Sequence, residues 1–276
     1  MLTLFSPAKI NIFLKVLGKR PDGFHELVTL IQAIDLGDTL SFSLSDQDKL
    51  TCTDAAIPTD GRNLIARAVD LFRDKTGFNE KVSIHLDKRI PHEAGLGGGS
   101  SNAATALWAM NELSGNNISL QQLMQWGGEL GSDVPFFLST GTAYCTGRGE
   151  KILSLSPPKG PALTLVKPPL GLSTPKVFGA LNIAGLPSRD PQEMLDQFLQ
   201  GEHVYFNDLE GAALKVAPQL DSLQKELLLR GFNDVVMTGS GSTFYCTGKG
   251  DTTDLDVATF TTRYLNRTVE QWYTNG

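Results

Sequence analysis

The most informative part of the sequence is residues 91–104, which read Pro91-His92-Glu93-Ala94-Gly95-Leu96-Gly97-Gly98-Gly99-Ser100-Ser101-Asn102-Ala103-Ala104. Apolar and polar residues alternate before it, over residues 82–86, and predict a strand, whereas the alanine-rich residues 103–113 predict a helix. Four glycines in five positions would leave backbone N–H groups at the positive end of that helix free of side chains. The stretch therefore predicts an anion site, where Ser100 and Ser101 add hydroxyl groups for phosphate oxygens or a bridging metal.

Three familiar phosphate loops do not fit this stretch. A Walker loop has Lys and then Ser or Thr after its last glycine, but Gly99 is followed by Ser100. A dinucleotide-binding fold needs a strand after the helix, whereas residues 120–130 predict a second helix. The HRD and DFG motifs of protein kinases do not occur in the sequence. The alternative to an anion site is a helix N-terminus with a tight turn and a serine cap. Such a turn needs only one or two glycines, and this stretch has four.

The composition excludes several classes of protein. The 276 residues are 41% hydrophobic and 20% charged, so that the chain can form a core without disulfides or structural metals. A formal net charge of -6 argues against nucleic acid and anionic membranes as partners. Cys52, Cys145 and Cys246 lack metal-ligand spacing and indicate a reducing compartment. With no leader peptide or membrane span in view, we expect a cytoplasmic monomer or homodimer that acts on a small molecule.

The periodicity of the sequence predicts an α+β protein. In the first half, strands are predicted at residues 10–16, 24–34, 38–45, 82–86 and 151–155, and helices at residues 63–72 (ending at Gly77), 103–113 and 120–130. In the second half, strands are predicted at residues 163–166, 235–238 and 244–247, and helices at residues 174–181, 191–199 and 209–229. The cluster of Pro157, Pro158 and Pro161 predicts a boundary between residues 1–156 and 157–276.

Four further blocks accompany the glycine-rich stretch. They read Ser6-Pro7-Ala8-Lys9-Ile10-Asn11, Arg20-Pro21-Asp22-Gly23-Phe24-His25, Gly131-Ser132-Asp133-Val134-Pro135-Phe136-Phe137 and Thr238-Gly239-Ser240-Gly241-Ser242. With residues 91–104 they resemble, in the same order and over nearly the whole chain, the motifs of the GHMP kinase superfamily of galactokinase, homoserine kinase, mevalonate kinase and phosphomevalonate kinase. The resemblance implies an α+β fold of two lobes, with an N-terminal lobe like a ribosomal-protein domain, a ferredoxin-like C-terminal lobe and the active site between them.

The same resemblance implies that the protein is an ATP-dependent kinase. The ATP-binding residues it implies are Pro91, Ala94, Gly95, Leu96, Gly97, Gly98, Gly99, Ser100 and Ser101. The second glycine turn, formed by Gly239, Ser240 and Gly241, is expected to close the cleft near the phosphates. Mg²⁺ is expected to accompany ATP, although the motifs mark no carboxylate as its ligand.

The resemblance assigns Lys9 and Asp133 to the reacting hydroxyl of the substrate. Lys9 lies between apolar neighbours on a predicted strand, where an ammonium group needs a partner. The family motifs imply that Asp133 is this partner and that it receives the proton of the attacking hydroxyl. A structural buried ion pair is the alternative, and Asp133 could orient the hydroxyl rather than deprotonate it.

Within the superfamily, the five blocks resemble the branch that phosphorylates the 2-hydroxyl of 4-diphosphocytidyl-2-C-methyl-D-erythritol in the non-mevalonate isoprenoid pathway. In that branch the block containing Phe24 and His25 binds the cytosine ring. Phe178 is expected to form the second face of a base sandwich, with a core aromatic residue as the alternative. Asn11 is expected to hydrogen-bond the substrate near the reacting hydroxyl or to satisfy backbone groups.

Three other functions remain as alternatives. The first is another kinase of the superfamily, acting on homoserine, mevalonate or a sugar, for which the block at Phe24 and His25 would have no use. The second is a binding protein that has lost catalysis, which the presence of Lys9 and Asp133 disfavours. The third, an RNA-binding module, is disfavoured by the acidic charge and by the lack of a basic stripe interleaved with aromatic residues.

Overall fold

The computed structural model describes residues 1–156 and 160–274. Its strands are β1 (Leu2–Lys19), β2 (His25–Ser45), β3 (Lys49–Cys52), β4 (Lys81–Asp87), β5 (Thr142–Thr146), β6 (Lys151–Ser154), β7 (Leu163–Lys167), β8 (Phe206–Asn207), β9 (Phe232–Met237), β10 (Phe244–Gly248) and β11 (Ala258–Thr262). Its α-helices are α1 (Leu64–Thr76), α2 (Gly98–Leu113), α3 (Leu120–Leu130), α4 (Val134–Phe137), α5 (Thr174–Gly179), α6 (Pro191–Leu199), α7 (Glu210–Val216) and α8 (Gln219–Leu229). The predicted α+β class is confirmed.

The first sheet is built on a long antiparallel pair, β1 and β2, whose register runs from Leu2 opposite Phe42 to Lys19 opposite His25. The sequence predicted two strands where β2 is continuous. The pairing passes from Pro7 opposite Gly37 to Ala8 opposite Ile34, so residues 35 and 36 bulge out of the ladder without ending the strand. The sheet order is β3-β4-β2-β1-β8, and β5 pairs with both β2 and β6. This sheet carries Lys9, Asn11 and His25 of the predicted site.

Helices α1, α2, α3 and α4 pack on the first sheet around one hydrophobic core. The predicted end of α1 is confirmed, because Gly77 adopts the left-handed conformation (φ 74°) and its N–H donates to the carbonyl of Arg73. Ten of the sixteen residues of α2 are buried. No helix in the part of the chain that the structure describes is long and apolar enough to cross a membrane.

The second sheet is antiparallel in the order β11-β7-β10-β9, and helices α5, α7 and α8 pack against it. The prediction of one helix over residues 209–229 is wrong. The helix breaks between Val216 and Gln219 into α7 and α8, because Pro218 has no N–H to donate and starts a new helix instead. The break lets α8 turn back along β9.

The two halves of the chain interlock. Strand β8, from the second half, pairs in parallel with β1 at Phe13 and Leu14, and the Tyr245 hydroxyl donates to the Ile12 carbonyl at 2.8 Å. At the end of the described chain, the Trp272 indole donates to the Phe5 carbonyl at 2.7 Å and packs into the core of the first lobe. The second half therefore contributes to the first sheet and its core. The predicted boundary at residue 157 lies outside the described residues.

Candidate active site

A cavity of about 1040 Å³ lies between the lobes. The first lobe lines it with the glycine-rich loop, Lys9, Asp133 and the turn before β2, and the second lobe lines it with Phe178 and the turn at Gly239. The candidate site residues, dispersed over more than 200 positions, thus line one continuous space, with the exception of Ser101. Its two ends differ in chemistry, because glycine amides dominate one end and aromatic rings the other.

The glycine-rich loop ends at the N-terminus of α2, whose first three residues are partly or fully exposed. Gly97 is the N-cap residue, with a φ of 71° that favours glycine, and no side chain caps the helix. The helix begins at Gly98, five residues before the alanine-rich residues 103–113 that predict it. Gly98, Gly99 and Ser100 therefore form the first turn, and all three line the cavity. Free amide groups at this positive helix end favour an anion.

Eight of the nine residues expected to bind ATP line the cavity: Pro91, Ala94, Gly95, Leu96, Gly97, Gly98, Gly99 and Ser100. Ser101 does not. It is fully buried, and its hydroxyl oxygen accepts a hydrogen bond from the Ser6 hydroxyl at 2.8 Å. The expectation that Ser101 presents its hydroxyl to phosphate is corrected, because the helix turns this side chain into the core while Ser100 faces the cavity.

Lys9 is buried, with 4% of its surface exposed, and its ammonium group has two oxygen partners. Nζ donates to Oδ1 of Asn11 at 2.7 Å and lies 3.6 Å from Oδ2 of Asp133, whose side chain is 35% exposed. Asp133 is the N-cap residue of the short helix α4 and faces the cavity. The arrangement leaves carboxylate oxygens of Asp133 open to a ligand while Lys9 stays fixed beneath.

Asn11 is held in one orientation by its neighbours. Its amide nitrogen donates to the hydroxyl of Thr29 at 2.8 Å, and that hydroxyl in turn donates to the carbonyl of Phe13 at 2.7 Å. The amide oxygen is therefore directed at Lys9. The Asn11 side chain bonds to the side chains of Lys9, Thr29 and Thr238 rather than to backbone groups, and it also lines the cavity.

The turn after β9 packs directly against the glycine-rich loop. A side chain at Gly239 would place its Cβ 3.1 Å from the carbonyl oxygen of Gly95 and 3.3 Å from Nζ of Lys9. The backbone N–H of Asn11 donates to the hydroxyl of Thr238 at 3.0 Å. Asn207, on β8, donates to the carbonyls of Met237 and Gly239, each at 2.7 Å. Gly239, Ser240 and Gly241 all line the cavity at the phosphate-loop end.

Aromatic side chains line the opposite end. The rings of His25 and Phe178 stack with a centroid distance of 4.8 Å and an interplanar angle of 27°. Phe178 is partly exposed on the cavity wall, although it also touches the core of the second lobe. Phe24 is 53% exposed, and the guanidinium carbon of Arg148 lies 4.8 Å from its ring centroid. Phe178, expected to form one face of the base sandwich, thus stacks on His25, expected to read the edge of the base, and a base that stacks on this face of Phe178 must first displace the imidazole.

The imidazole of His25 is biased toward its neutral form. Burial disfavours the cation and lowers the pKa of His25 below its ordinary value, and the positive charge of Lys19 lowers that pKa further. A neutral imidazole carries one donor and one acceptor, which can read the polar edge of a base.

Sequence reasoning missed several residues of the cavity wall. Beside the glycine-rich loop these are Ile57, Asn63, Leu64, Leu86 and Lys88, and elsewhere on the wall they are Thr29, next to Asn11, and Arg148 and Gly149, in the turn between β5 and β6. Two of these residues lie in local sequence patterns that could have been recognised. Asn63 caps α1 by accepting from the N–H of Ile65, and Arg148 stands between two glycines in a turn sequence. The apolar members are indistinguishable from core residues in the sequence.

Among the described residues no group of three or more His, Cys, Asp and Glu side chains could hold a metal ion. Ser100 and Asp133 are oxygen donors that line the cavity near the helix end. Cys52, Cys145 and Cys246 are free thiols. The donor chemistry fits a Mg²⁺ ion bound mainly through phosphates, rather than one held in a protein cage.

Comparison with known proteins agrees with this geometry. Residues 63–141 match the family described as GHMP kinases N terminal domain. A solved structure titled 4-(cytidine 5'-diphospho)-2C-methyl-D-erythritol kinase is 35% identical, with a TM-score of 0.76, and the match covers 90% of this chain and 91% of that one. Homoserine kinase from Cytophaga hutchinsonii shares the fold alone, with a TM-score of 0.72 at 17% identity over 96% and 95% of the two chains.

Two relatives are more similar in sequence. The 4-diphosphocytidyl-2-C-methyl-D-erythritol kinase of Protochlamydia amoebophila is 50% identical over 99% of this chain and 93% of its own length. The chloroplastic enzyme of that name from Arabidopsis thaliana is 43% identical over 99% of this chain and 76% of its own length. Identity of this extent, over a chain with both lobes and the whole cavity in place, shows that the protein belongs to the 4-diphosphocytidyl-2-C-methyl-D-erythritol kinase family of the GHMP kinases.

Proposed function

We propose that the protein transfers the γ-phosphoryl group of ATP to the 2-hydroxyl of 4-diphosphocytidyl-2-C-methyl-D-erythritol, in the non-mevalonate isoprenoid pathway. One observation carries the proposal: a single cavity joins an amide-rich helix end, a Lys–Asp pair and an aromatic end. These are the three parts that phosphoryl transfer to a nucleotide-linked alcohol requires, namely a cradle for the triphosphate, charges at the acceptor hydroxyl and a platform for the base.

ATP binds at the glycine-rich end in this proposal. Its phosphates meet the free amides of Gly98, Gly99 and Ser100 at the N-terminus of α2. The apolar residues Ile57, Leu64 and Leu86 line the adjoining wall and offer a flat surface to the adenine ring. The turn at Gly239 closes over the phosphates from the second lobe.

Lys9 and Asp133 act on the acceptor. The substrate hydroxyl attacks the γ-phosphorus, the bond from that phosphorus to the bridging oxygen breaks, and ADP leaves with the electron pair. Asp133 receives the proton of the hydroxyl as this occurs. Lys9 offsets negative charge in the transition state, and Asn11 holds the ammonium in place.

Mg²⁺ accompanies ATP in the proposal, with Ser100 and Asp133 as the residues that could hold it. The ion would neutralise charge on the phosphates during transfer.

The cytosine ring binds at the aromatic end. Phe24 and Phe178 supply ring faces, and the neutral imidazole of His25 supplies a donor and an acceptor for the polar edge of the base. When the base binds, the contact between His25 and Phe178 is lost, and each of the two rings gains a contact with the base. The stack seen without a ligand is therefore compatible with a base site.

Two finer proposals concern the surroundings of the enzyme. The three free thiols support a reducing compartment such as the cytoplasm. Monomer and homodimer are both compatible with a cavity that is formed within one chain.

The test is transfer of labelled phosphate from ATP to four acceptors at equal concentration: 4-diphosphocytidyl-2-C-methyl-D-erythritol, mevalonate, homoserine and galactose. We expect turnover of the first alone. Turnover of another acceptor in its place would assign the protein to a different branch of the superfamily. Absence of turnover with all four, in a folded protein that binds ATP, would favour the binding-protein alternative.

A further inference from the structure

The turn between β5 and β6 connects the two ends of the cavity. It carries Arg148 between Gly147 and Gly149, which have positive φ values of 75° and 109°. Three hydrogen bonds fix it: Leu27 N–H to the Gly147 carbonyl at 2.8 Å, Gly149 N–H to the Thr146 carbonyl at 3.1 Å, and Arg148 N–H to a Glu150 carboxylate oxygen at 2.6 Å. The backbone of Arg148 is therefore held firmly at the cavity wall.

This turn lies between the expected base site and the expected reaction centre. On one side, the Arg148 guanidinium lies over the ring of Phe24. On the other, a Cβ on Gly149 would lie 3.9 Å from Oδ1 of Asp133. The turn thus places the Arg148 side chain at the aromatic end and the neighbouring Gly149 beside the Lys–Asp pair.

Four cations line the cavity: Lys9, Lys19, Lys88 and Arg148. Lys9 and Lys88 form ion pairs with Asp133 and Asp38. Across residues 1–156 and 160–274, Arg148 and Lys19 form no ion pair with a carboxylate. Lys19 is exposed at the end of β1, whereas Arg148 is half-buried on the fixed turn. Arg148 is thus the less exposed of the two cations that remain for an anionic ligand.

We propose that Arg148 binds the diphosphate of the substrate and thereby selects nucleoside-diphosphate-linked alcohols over free polyols, an inference that rests on the proposed function. In such a substrate the diphosphate lies between the base and the reacting alcohol, as the turn that carries Arg148 lies between Phe24 and Asp133. A guanidinium presents a planar fork of donors that matches phosphate oxygens in pairs. When the substrate binds, the Arg148 guanidinium leaves the ring face of Phe24, where it has no hydrogen bond, and donates to two phosphate oxygens.

The experiment measures the affinity of the diphosphate alone. Calorimetry compares cytidine with cytidine diphosphate as ligands, with the ATP site filled by a non-hydrolysable ATP analogue so that neither ligand can occupy it. We expect the wild-type protein to bind cytidine diphosphate about 10- to 100-fold more tightly than cytidine, as charge-assisted hydrogen bonds allow. Arg148→Gln should abolish this ratio while leaving cytidine affinity within about threefold. Arg148→Lys, which keeps the charge without the fork, should retain part of it.

Two parallel variants make the result specific. Arg263→Gln, at an exposed arginine outside the cavity wall, should keep the full ratio. If Lys19→Met loses the ratio and Arg148→Gln keeps it, Lys19 is the diphosphate ligand and the assignment to Arg148 is overturned. An unchanged ratio in Arg148→Gln also overturns it. Wild-type turnover of the diphosphocytidyl substrate, measured alongside, separates this outcome from a failure of the proposed function.

Discussion

The Lys9 ammonium lies 3.6 Å from the nearest carboxylate oxygen of Asp133, too far for a strong hydrogen bond but close enough for an ion pair. The two side chains differ in exposure, since Lys9 is buried and Asp133 is about one-third exposed. A purely structural buried pair would enclose both groups. Here the acid remains accessible from the cavity, as a group that exchanges a proton with a substrate must be.

Asp133→Asn should lower kcat about 10²- to 10⁴-fold, because a positioned general base contributes that much to a proton transfer. The KM values for ATP and the acceptor should change little, because the amide has nearly the same shape. Steady-state kinetics check this, with Asp221→Asn, at an exposed position on α8, as the matched control. Full turnover by a folded Asp133→Asn protein would leave Asp133 with no role in proton transfer.

Gly97→Ala should impair catalysis more than it impairs folding. The new Cβ would lie 2.9 Å from Cγ of Lys9 and from the ring of Phe137, so Lys9 must shift. Gly77→Ala is a matched control, since Gly77 has nearly the same φ of 74° with no atom within 4 Å of a Cβ. Both should lose about 1 to 2 kcal/mol of unfolding free energy from left-handed strain.

Denaturant unfolding of the two variants measures the effect of backbone strain on stability. Titration with an ATP analogue measures the effect of the new contact with Lys9 on binding. Gly97→Ala should also lose affinity for the analogue and lower kcat, whereas Gly77→Ala should keep both. Equal activity of the two variants would show that the close approach of Gly97 to Lys9 is irrelevant to the reaction.

The pH dependence of substrate binding should report on His25. Its pKa is below the ordinary 6.5 because of burial and the charge of Lys19, so the neutral imidazole persists at pH 7. If the neutral form binds cytosine, the KM for the acceptor should rise only as the pH falls through this lowered pKa. Lys19→Met removes a repelling charge, so the pKa should move up toward 6.5 and the rise in KM should begin at a higher pH.

Acceptor KM values from pH 5 to pH 8 test this, with NMR titration of the His25 ring in the same variants. The KM for ATP serves as the internal control, because ATP binds at the other end of the cavity. Identical acceptor profiles for wild type and Lys19→Met, together with a shifted NMR titration, would exclude the imidazole from base recognition.

Trp272→Ala should destabilise the fold without altering the site. Trp272 is buried against the first-lobe core, stacks near Trp108 at 5.0 Å and donates to the Phe5 carbonyl. Removing a buried aromatic side chain of this size should cost about 3 to 5 kcal/mol of unfolding free energy. Chemical denaturation checks it, with Leu229→Ala, at a side chain 84% exposed, as the control. A loss below about 1 kcal/mol in Trp272→Ala would mean that the terminal segment adds little to the core.

Local chemistry made part of the site predictable from the sequence. The glycine-rich loop was recognisable because glycines and a following helix are adjacent in the chain, and eight of its nine predicted residues line the cavity. Ser101 was placed wrongly because successive helical residues point about 100° apart. Whether Ser100 or Ser101 faces the cavity depends on where the helix begins, and the unmarked start at Gly98 decides this.

The parts that could not be predicted depend on contacts between distant segments. Strand β8 has two residues and no periodicity of its own, so it forms only because β1 presents an edge. The stack of His25 on Phe178 joins residues from different lobes, and nothing near either residue signals the contact. The break at Pro218 was locally visible, but the apolar pattern on both sides favoured a single helix.

The interlocking of the lobes limits how this enzyme can be recombined with its relatives. A chimera joined at residue 157 would take β8 and Trp272 from a foreign second half, and these must fit the native β1 edge and the Phe5 carbonyl. A chimera made by swapping halves to change the substrate would therefore have to pair β1 of one protein with β8 of another. If Arg148 binds the diphosphate as proposed, exchanging the short turn that carries it would test specificity without disturbing the contacts between the lobes.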